Sequence, residues 1–179
     1  LRDRYWIVLD RIQGEGPRSI QPLWHFHPDC TVVLEGARAV TTDPGAGNLR
    51  IKPIAPFSWK ADLVEGRELP DPQGWYSVQY NEKEPAPCAV YQAEVTGEAL
   101  FAWLLYPAKD VVPDPRVEWI SGGDGLLHVA VDDGRRIEVQ VNFSSQPFSL
   151  RLPDGTAASG RSLVTGLAER PVVVPGDFQ

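Results

Sequence analysis

The sequence predicts an all-β fold, an antiparallel multi-sheet β-sandwich, and three observations carry that prediction. Apolar residues recur in short runs that alternate with period two, which is typical of strands with one buried face. No stretch keeps the i, i+3, i+4 spacing of an amphipathic helix over three turns. The 16 Gly and 17 Pro are spread along the whole chain of 179 residues, as turns between short strands require.

The predicted strands follow one another closely along the chain. In the first half they span residues 5–10, 21–27, 31–34, 37–42, 49–54 and 59–64. In the second half they span residues 75–80, 88–95, 100–106, 117–121, 126–131, 137–143 and 148–152. The Pro- and Gly-rich stretches between them are too short for interdomain linkers. We therefore expect a single domain over residues 1–179, in which two or three sheets pack together.

The clearest hairpin joins the runs 126–131 and 135–143. Asp132-Asp133-Gly134 lies between them. An Asp-Gly pair is typical of a type I′ turn, because both central residues of that turn need a positive φ. The sequence therefore predicts a tight turn at this point.

The chain is acidic, with a formal net charge of −7 and a sequence pI of about 4.9. This balance argues against a nucleic-acid partner, since binding to phosphates needs a concentrated basic face. No apolar run approaches the length of a membrane span, and no signal peptide is visible. The chain begins with Leu1 and contains no Met, so we expect it to be a piece of a longer protein.

Two cysteines, Cys30 and Cys88, are too few for a fold held together by disulfides. Cys is often buried as a free thiol, and this is the outcome that we expect for both. A bridge between them stays open as the alternative, because the sequence does not give their separation.

The best candidate for chemistry is the segment from Trp24 to Asp29, which holds two of the three histidines of the chain. His25 and His27 stand at positions i and i+2, so on a strand their side chains leave the same face, about 6–7 Å apart. That arrangement suits a shared metal, or one His on a metal and the other on a substrate. Asp29 or Asp43 could complete a zinc site or orient an imidazole.

A purely structural interpretation of this segment stays open beside the functional one. Two half-buried histidines at the edge of a sheet would give the same pattern, because a His-x-His pair without a third ligand is a modest signal. The third histidine, His128, lies inside an apolar run, and there we expect a core residue with satisfied hydrogen bonds.

Five of the six tryptophans divide into two groups. Those that alternate with aliphatic neighbours are predicted to lie in the core; they are Trp6, Trp24, Trp103 and Trp119. Trp75-Tyr76 follows a Pro- and Gly-rich stretch, so these two rings are the better candidates for contact with a ligand or with another domain.

Several ordered blocks of the sequence resemble one known family. They are the run Tyr5-Trp6-Ile7-Val8-Leu9-Asp10-Arg11-Ile12, the segment Trp24-His25-Phe26-His27-Pro28-Asp29, the block Gly74-Trp75-Tyr76-Ser77 with Tyr80, and Glu82-Lys83-Glu84-Pro85-Ala86-Pro87. Together they resemble the C-terminal domain of heparinase II/III-like polysaccharide lyases. The resemblance covers the first half of the chain well and the rest only as generic strands.

The resemblance implies a fold and a reaction. Proteins of this family join an N-terminal α/α toroid to a C-terminal, supersandwich-like β domain, and they cleave uronate-containing glycans by β-elimination. This chain would then be secreted or periplasmic, and its partners would be an acidic polysaccharide and the toroid of the same protein. The main Tyr, Asn and His of the reaction lie on the toroid, so the resemblance implies that the β domain alone is inactive.

The resemblance also assigns roles to individual residues. His25 would face the cleft between the domains as a supporting catalytic residue, with Trp75, Tyr76 and Tyr80 as substrate contacts. His27 would bind a structural zinc together with Asp43 and a further His. No His occurs between His27 and His128, so only Gln79, Asn81 or Glu82 could stand in for that ligand.

Two other functions stay open on the sequence. A carbohydrate-binding β-sandwich module would use exposed aromatic rings, with Trp75 and Tyr76 as its platform. A structural scaffold between domains would need neither His25 nor the aromatic pair. These alternatives differ from a lyase domain in whether the isolated chain binds glycans and whether His25 contributes to catalysis.

Overall fold

The computed structural model describes residues 4–143 and, beyond them, the backbone of four strands within 148–175. The first strands in chain order are β1 (Trp6–Ile12), β2 (Pro17–Ile20), β3 (Leu23–His25), β4 (Val32–Glu35), β5 (Arg38–Thr41), β6 (Gly47–Ile54), β7 (Lys60–Val64), β8 (Trp75–Tyr76) and β9 (Glu84–Pro85). They are followed by β10 (Cys88–Thr96), β11 (Ala99–Lys109), β12 (Arg116–Gly123), β13 (Leu126–Asp132), β14 (Arg136–Asn142), β15 (Phe148–Arg151), β16 (Ala157–Gly160), β17 (Ser162–Gly166) and β18 (Pro171–Pro175).

All strand pairs in the described part of the chain are antiparallel, and that part contains no helix, so the predicted all-β fold is confirmed. Consequently no helix able to cross a membrane is found among these residues. Three larger sheets form the body of the fold. The central sheet has the order β1-β11-β6-β5-β4; β2, β3 and β7 gather around β10 in a second; and the third runs β12-β13-β14-β17-β18.

The central sheet is buried on both faces, and β11 shows this most clearly. Phe101 and Trp103 point to one side, whereas Leu100, Ala102 and Leu104 point to the other. All five are almost completely buried. Side chains alternate across a strand, so one continuous apolar run can serve two cores at once.

We call the core between the central sheet and the β10 sheet the aromatic core. Its centre is Trp103, which is fully buried and has ring-to-ring contacts with Trp24, Trp59, Tyr91 and Phe101 at 4.7–6.1 Å. The indole Nε1 of Trp103 donates a hydrogen bond of 3.0 Å to Asp10 on β1. This core lies directly beneath β3 and therefore supports the segment that carries His25.

The core between the central sheet and the third sheet is mainly aliphatic, with Tyr5 also buried in it. Alternate residues of β13 and β14 point into this core, and they are Leu127, Val129, Val131, Ile137, Val139 and Val141. Their hairpin confirms the predicted pairing of these runs. The predicted type I′ turn is wrong: Asp132 pairs with Arg136, which leaves a three-residue loop, and within it a positive φ is found at Gly134.

Some sequence predictions were wrong in detail. Strand β2 was missed because Gly16 and Pro17 suggested a loop; Pro is tolerated as the first residue of an edge strand, which is where Pro17 lies. Trp6 was predicted to be in the core, but 60% of its surface is exposed. Its strand β1 is an edge strand of the central sheet, and Trp6 is the first residue of that strand. The predicted strand end at Leu152 lies outside the described residues.

Candidate functional site

Strand β3 presents His25 on the outside of the fold. It pairs with β10 so that His25 stands opposite Cys88 and Trp24 opposite Ala89. Trp24 is half-buried against the aromatic core, whereas His25 is exposed. The backbone N–H of Phe26 continues the pairing with a hydrogen bond of 2.9 Å to the carbonyl of Pro87. His25 is therefore held in place by the regular pairing of β3 with β10, and β3 packs on the aromatic core.

Strand β3 is shorter than predicted and ends at His25, so His27 lies just outside it. The alternation of burial nevertheless continues, because Phe26 packs on the aromatic core and His27 is exposed. A tight turn follows, in which the N–H of Cys30 donates to the carbonyl of His27 at 3.0 Å. Pro28 lies inside this turn, which accounts for the early end of the strand.

Residues 65–76 form a loop that contacts His25, and we call this loop the strap. Its two arms are joined by a pair of hydrogen bonds of 2.9 Å between the backbones of Arg67 and Gln73. The carbonyl of Gly74 accepts the N–H groups of Gly66 and Ala86 at 2.8 and 2.9 Å. The backbone of the strap around Gln73 is thus held on both sides by hydrogen bonds.

Gly74 lets the strap approach strand β7. Its φ is +78°, a left-handed conformation that L side chains rarely adopt. A Cβ at this position would lie 2.6 Å from the carbonyl oxygen of Val64 and 2.7 Å from the Cα of Glu65. Both the conformation and the space at this position therefore require glycine.

His25 meets the strap through Gln73. Its Nε2 lies 3.0 Å from the side-chain oxygen Oε1 of Gln73, and the same oxygen accepts the N–H of Gly74 at 3.2 Å. Gln73 is half-buried, whereas His25 keeps an exposed face. Sequence reasoning missed Gln73, which lies 48 positions from His25 in a loop without a motif.

His27 meets the other end of the strap. Its ring lies 5.2 Å from the ring of Tyr76. Its Nδ1 lies 3.3 Å from the backbone N–H of Asp29 and 3.4 Å from the carboxylate of the same residue. Both histidines of the pair thus border the same strap.

Asp43 caps a turn in the region that follows β5. Its carboxylate accepts the N–H of Thr31 at 2.9 Å, and its backbone is held by the side chain of Asn48. In the part of the chain that the structure describes, no three His, Cys, Asp or Glu side chains converge as a metal would require. His27 and Asp43 are two donors, fewer than a zinc centre uses, so these residues do not fit a complete site.

The three predicted substrate contacts differ in exposure. Tyr80 is 99% exposed and Tyr76 is 38% exposed. Trp75 is half-buried, because its Nε1 donates to the carbonyl of Arg67 at 3.0 Å and the Nζ of Lys83 lies 3.9 Å from its ring centre. The Lys83 ammonium also forms an ion pair of 2.8 Å with Glu68.

The two cysteines are free thiols, as expected from the tendency of Cys to be buried in this form. Burial raises the pKa of Cys88 to about 11, so this thiol stays protonated at neutral pH. Cys88 lies beneath the strap region as the register partner of His25 and has a packing role. Cys30 is half-buried against the aromatic core.

Comparisons with known proteins agree with this architecture. The family model described as "Heparinase II/III-like, C-terminal" matches residues 1–145. Two solved structures from Pedobacter heparinus are similar, each with a TM-score of 0.64 over 80% of this chain. They are the heparan sulfate lyase HepC, at 22% identity, and a mutant of it, at 23% identity. No curated protein matches the chain.

The chain spans 23% of the length of the two solved structures that it matches. At this level of identity, the likeness shows a shared fold. The family model, by contrast, covers well over half of the 179 residues. The chain therefore belongs to the heparinase II/III-like, C-terminal family.

Proposed function

We propose that this chain is the C-terminal β domain of a polysaccharide lyase that cleaves uronate-containing glycans by β-elimination. The observation that carries the proposal is the family match over residues 1–145, combined with an exposed His25 that the strap holds in place. The rest of the active centre, including the α/α toroid, would belong to the same longer protein. Since its polymeric substrate would lie outside the cytoplasm, we propose a secreted or periplasmic location.

In this proposal His25 contributes one supporting group to the cleft. Elimination requires a base for the C5 proton, an acid for the departing oxygen, and a group that neutralises the uronate carboxylate. An imidazole can accept or donate a proton near neutral pH, and its cation also pairs with a carboxylate. His25 is exposed and backed by a rigid strand, which suits each of these tasks.

The isolated chain would be inactive, because the reaction needs several groups held together in a water-poor cleft. The described part of the β3 and strap surface offers His25, His27 and Tyr76 along one open side. Such a surface supplies part of the required set. Tyr80, Tyr76 and Trp75 would line the path of the acidic polysaccharide, with Lys83 as a nearby positive charge.

A carbohydrate-binding module is the second candidate, and the exposure of Tyr80 and Tyr76 favours it. Aromatic rings open to solvent stack on sugar rings without any catalytic partner. Under this alternative, the isolated chain would bind glycans, and His25 would have no effect on turnover.

The test measures the absorbance of unsaturated uronate products. Heparin, heparan sulfate and alginate are incubated with the isolated chain and, in parallel, with the full-length protein that contains it. We expect product from the full-length protein and none from the isolated chain. Turnover by the isolated chain at the rate of an intact lyase would refute the proposal.

Calorimetry and turnover together separate the two candidates. Glycan binding by the isolated chain that is lost in Trp75→Ala, with unchanged turnover of the full-length protein in His25→Ala, would favour the binding module. The matched control is Trp6→Ala, which removes an exposed indole from β1 at the edge of the central sheet.

A further inference from the structure

We infer that Gln73 is a positioning residue that fixes the tautomer of His25, so that Nε2 carries the proton and Nδ1 keeps the lone pair. The inference concerns the hydrogen bonding of His25 itself. Its consequence for turnover rests on the proposed function, in which His25 serves the active centre.

The orientation of the Gln73 side chain follows from its second contact. The N–H of Gly74 can only donate, so the Gln73 atom that faces it must be the amide oxygen rather than the NH₂ group. The same oxygen lies 3.0 Å from Nε2 of His25. Because two acceptors cannot form a hydrogen bond with each other, Nε2 must carry a hydrogen.

The tautomer of the neutral ring follows directly. A neutral imidazole has a single N–H, so a proton on Nε2 leaves Nδ1 as the acceptor. In the proposed cleft, Nδ1 is therefore the atom that takes a proton or accepts a hydroxyl hydrogen bond. When the ring is protonated, Nδ1–H becomes the donor for a uronate carboxylate, while the bond to Gln73 is unchanged.

Backbone contacts of the strap hold Gln73 in place for its hydrogen bond with His25. The backbone of Gln73 donates to and accepts from Arg67 at 2.9 Å. The next residue, Gly74, is buried against β7 and has no room for a side chain. On the other side, His25 is fixed by its pairing with β10. Gln73 and His25 are thus each held in place by backbone contacts other than their mutual hydrogen bond, as a positioning contact requires.

The first measurement is the ¹⁵N shift of the His25 ring in the labelled 179-residue chain, recorded above its titration range. We expect Nε2 to show the shift of a protonated ring nitrogen and Nδ1 that of an unprotonated one. In Gln73→Leu we expect a measurable fraction of the opposite tautomer. The control Gln13→Leu makes the same change at an exposed residue after β1 and should leave the spectrum unchanged.

Protonation of Nδ1 in the unmodified chain would overturn the inference, and so would an unchanged His25 spectrum in Gln73→Leu. Gln73→Glu covers the case in which the leucine variant does not fold, since it keeps an acceptor oxygen in reach of Gly74. A carboxylate can only accept a hydrogen bond from Nε2–H, so His25 should keep its proton on Nε2 in this variant. A neutral His25 ring with its proton on Nδ1 in this variant would also contradict the positioning role.

The second measurement is the turnover of the full-length protein. Loss of the positioning contact in Gln73→Leu should lower kcat by about 10–100-fold with a smaller change in KM. Gln73→Glu keeps an acceptor for Nε2–H of His25 and should therefore recover part of kcat. A full-length protein without lyase activity would refute the proposed function alone, because the NMR measurements still decide the role of Gln73.

Discussion

Gly74 packs so closely on Val64 that a Cβ at the glycine would lie 2.6 Å from the valine carbonyl oxygen. This contact joins the strap to strand β7 and sets the position of the residue before it, Gln73. The site therefore depends on a backbone approach as much as on its side chains.

Gly74→Ala should destabilise the domain by more than a left-handed conformation alone explains. A non-glycine residue at φ +78° costs about 1–2 kcal/mol, and the clash with β7 adds to that. The control Gly36→Ala has a φ of +64° but open space around the Cβ, so it reports the conformational cost by itself. Urea unfolding should rank Gly74→Ala as the more damaging change; equal effects would show that the strap can move away.

The aromatic core should respond far more strongly than the exposed edge. Trp103→Ala removes a fully buried ring and its hydrogen bond to Asp10, so we expect a loss of about 3–5 kcal/mol. Trp6→Ala changes a residue that is 60% exposed, and there we expect a loss within about 0.5 kcal/mol. The free energies of unfolding of the two variants give the comparison. A large loss in Trp6→Ala would mean that its ring is covered in solution.

Glu98 should stabilise the fold at neutral pH and lose this effect in acid. Its carboxylate accepts two hydrogen bonds from Arg11 at 3.2 and 2.7 Å, and these, with the N–H of Gly125, lower its pKa. A carboxylate with a folded pKa below its unfolded value stabilises above the unfolded pKa of about 4.3, and the gain disappears as pH falls through the folded pKa.

Glu98→Gln should therefore be less stable than the unmodified chain at about pH 7, and the difference should shrink below about pH 4. Glu94→Gln, which removes an exposed carboxylate from the preceding strand β10, is the control. Unfolding in urea across this pH range measures both. A difference that stays constant with pH would rule out the ionised Glu98 as its source.

Zinc should not be a stoichiometric component. His27 and Asp43 are two of the donors that the family resemblance implies, but Gln79, Asn81 and Glu82 occupy the stretch where the third is expected. Elemental analysis of protein prepared without chelators should give less than one zinc per chain. A full equivalent that disappears in His27→Ala would contradict this expectation and would assign His27 as a ligand.

The fold was predictable where one local pattern decides it. Strands β13 and β14 alternate with period two, so their pairing and inward faces follow from the sequence. The sequence predicted a strand over residues 100–106, but it could not show that Phe101 and Leu100 serve different cores. That division depends on which sheets cover each face, a tertiary property.

The site was predictable only in part, for a similar reason. His25 stands out because the chain has three histidines and two of them form one His-x-His pair. Its partner Gln73 comes from a loop whose conformation depends on Gly74 fitting against β7. The prediction that Trp6 lies in the core was wrong. Periodicity identifies the face of a strand, but it does not show whether another sheet covers the end of that strand.

In the proposed function His25 serves the active centre of a lyase, and turnover by the full-length protein decides whether it does. His25→Ala should lower the formation of unsaturated uronate by about 100-fold or more. His128→Ala is the matched control, since this histidine lies on β13 beside Glu138 at 3.2 Å. We expect that control to keep the unmodified rate. Full activity in His25→Ala would contradict the proposed role of His25.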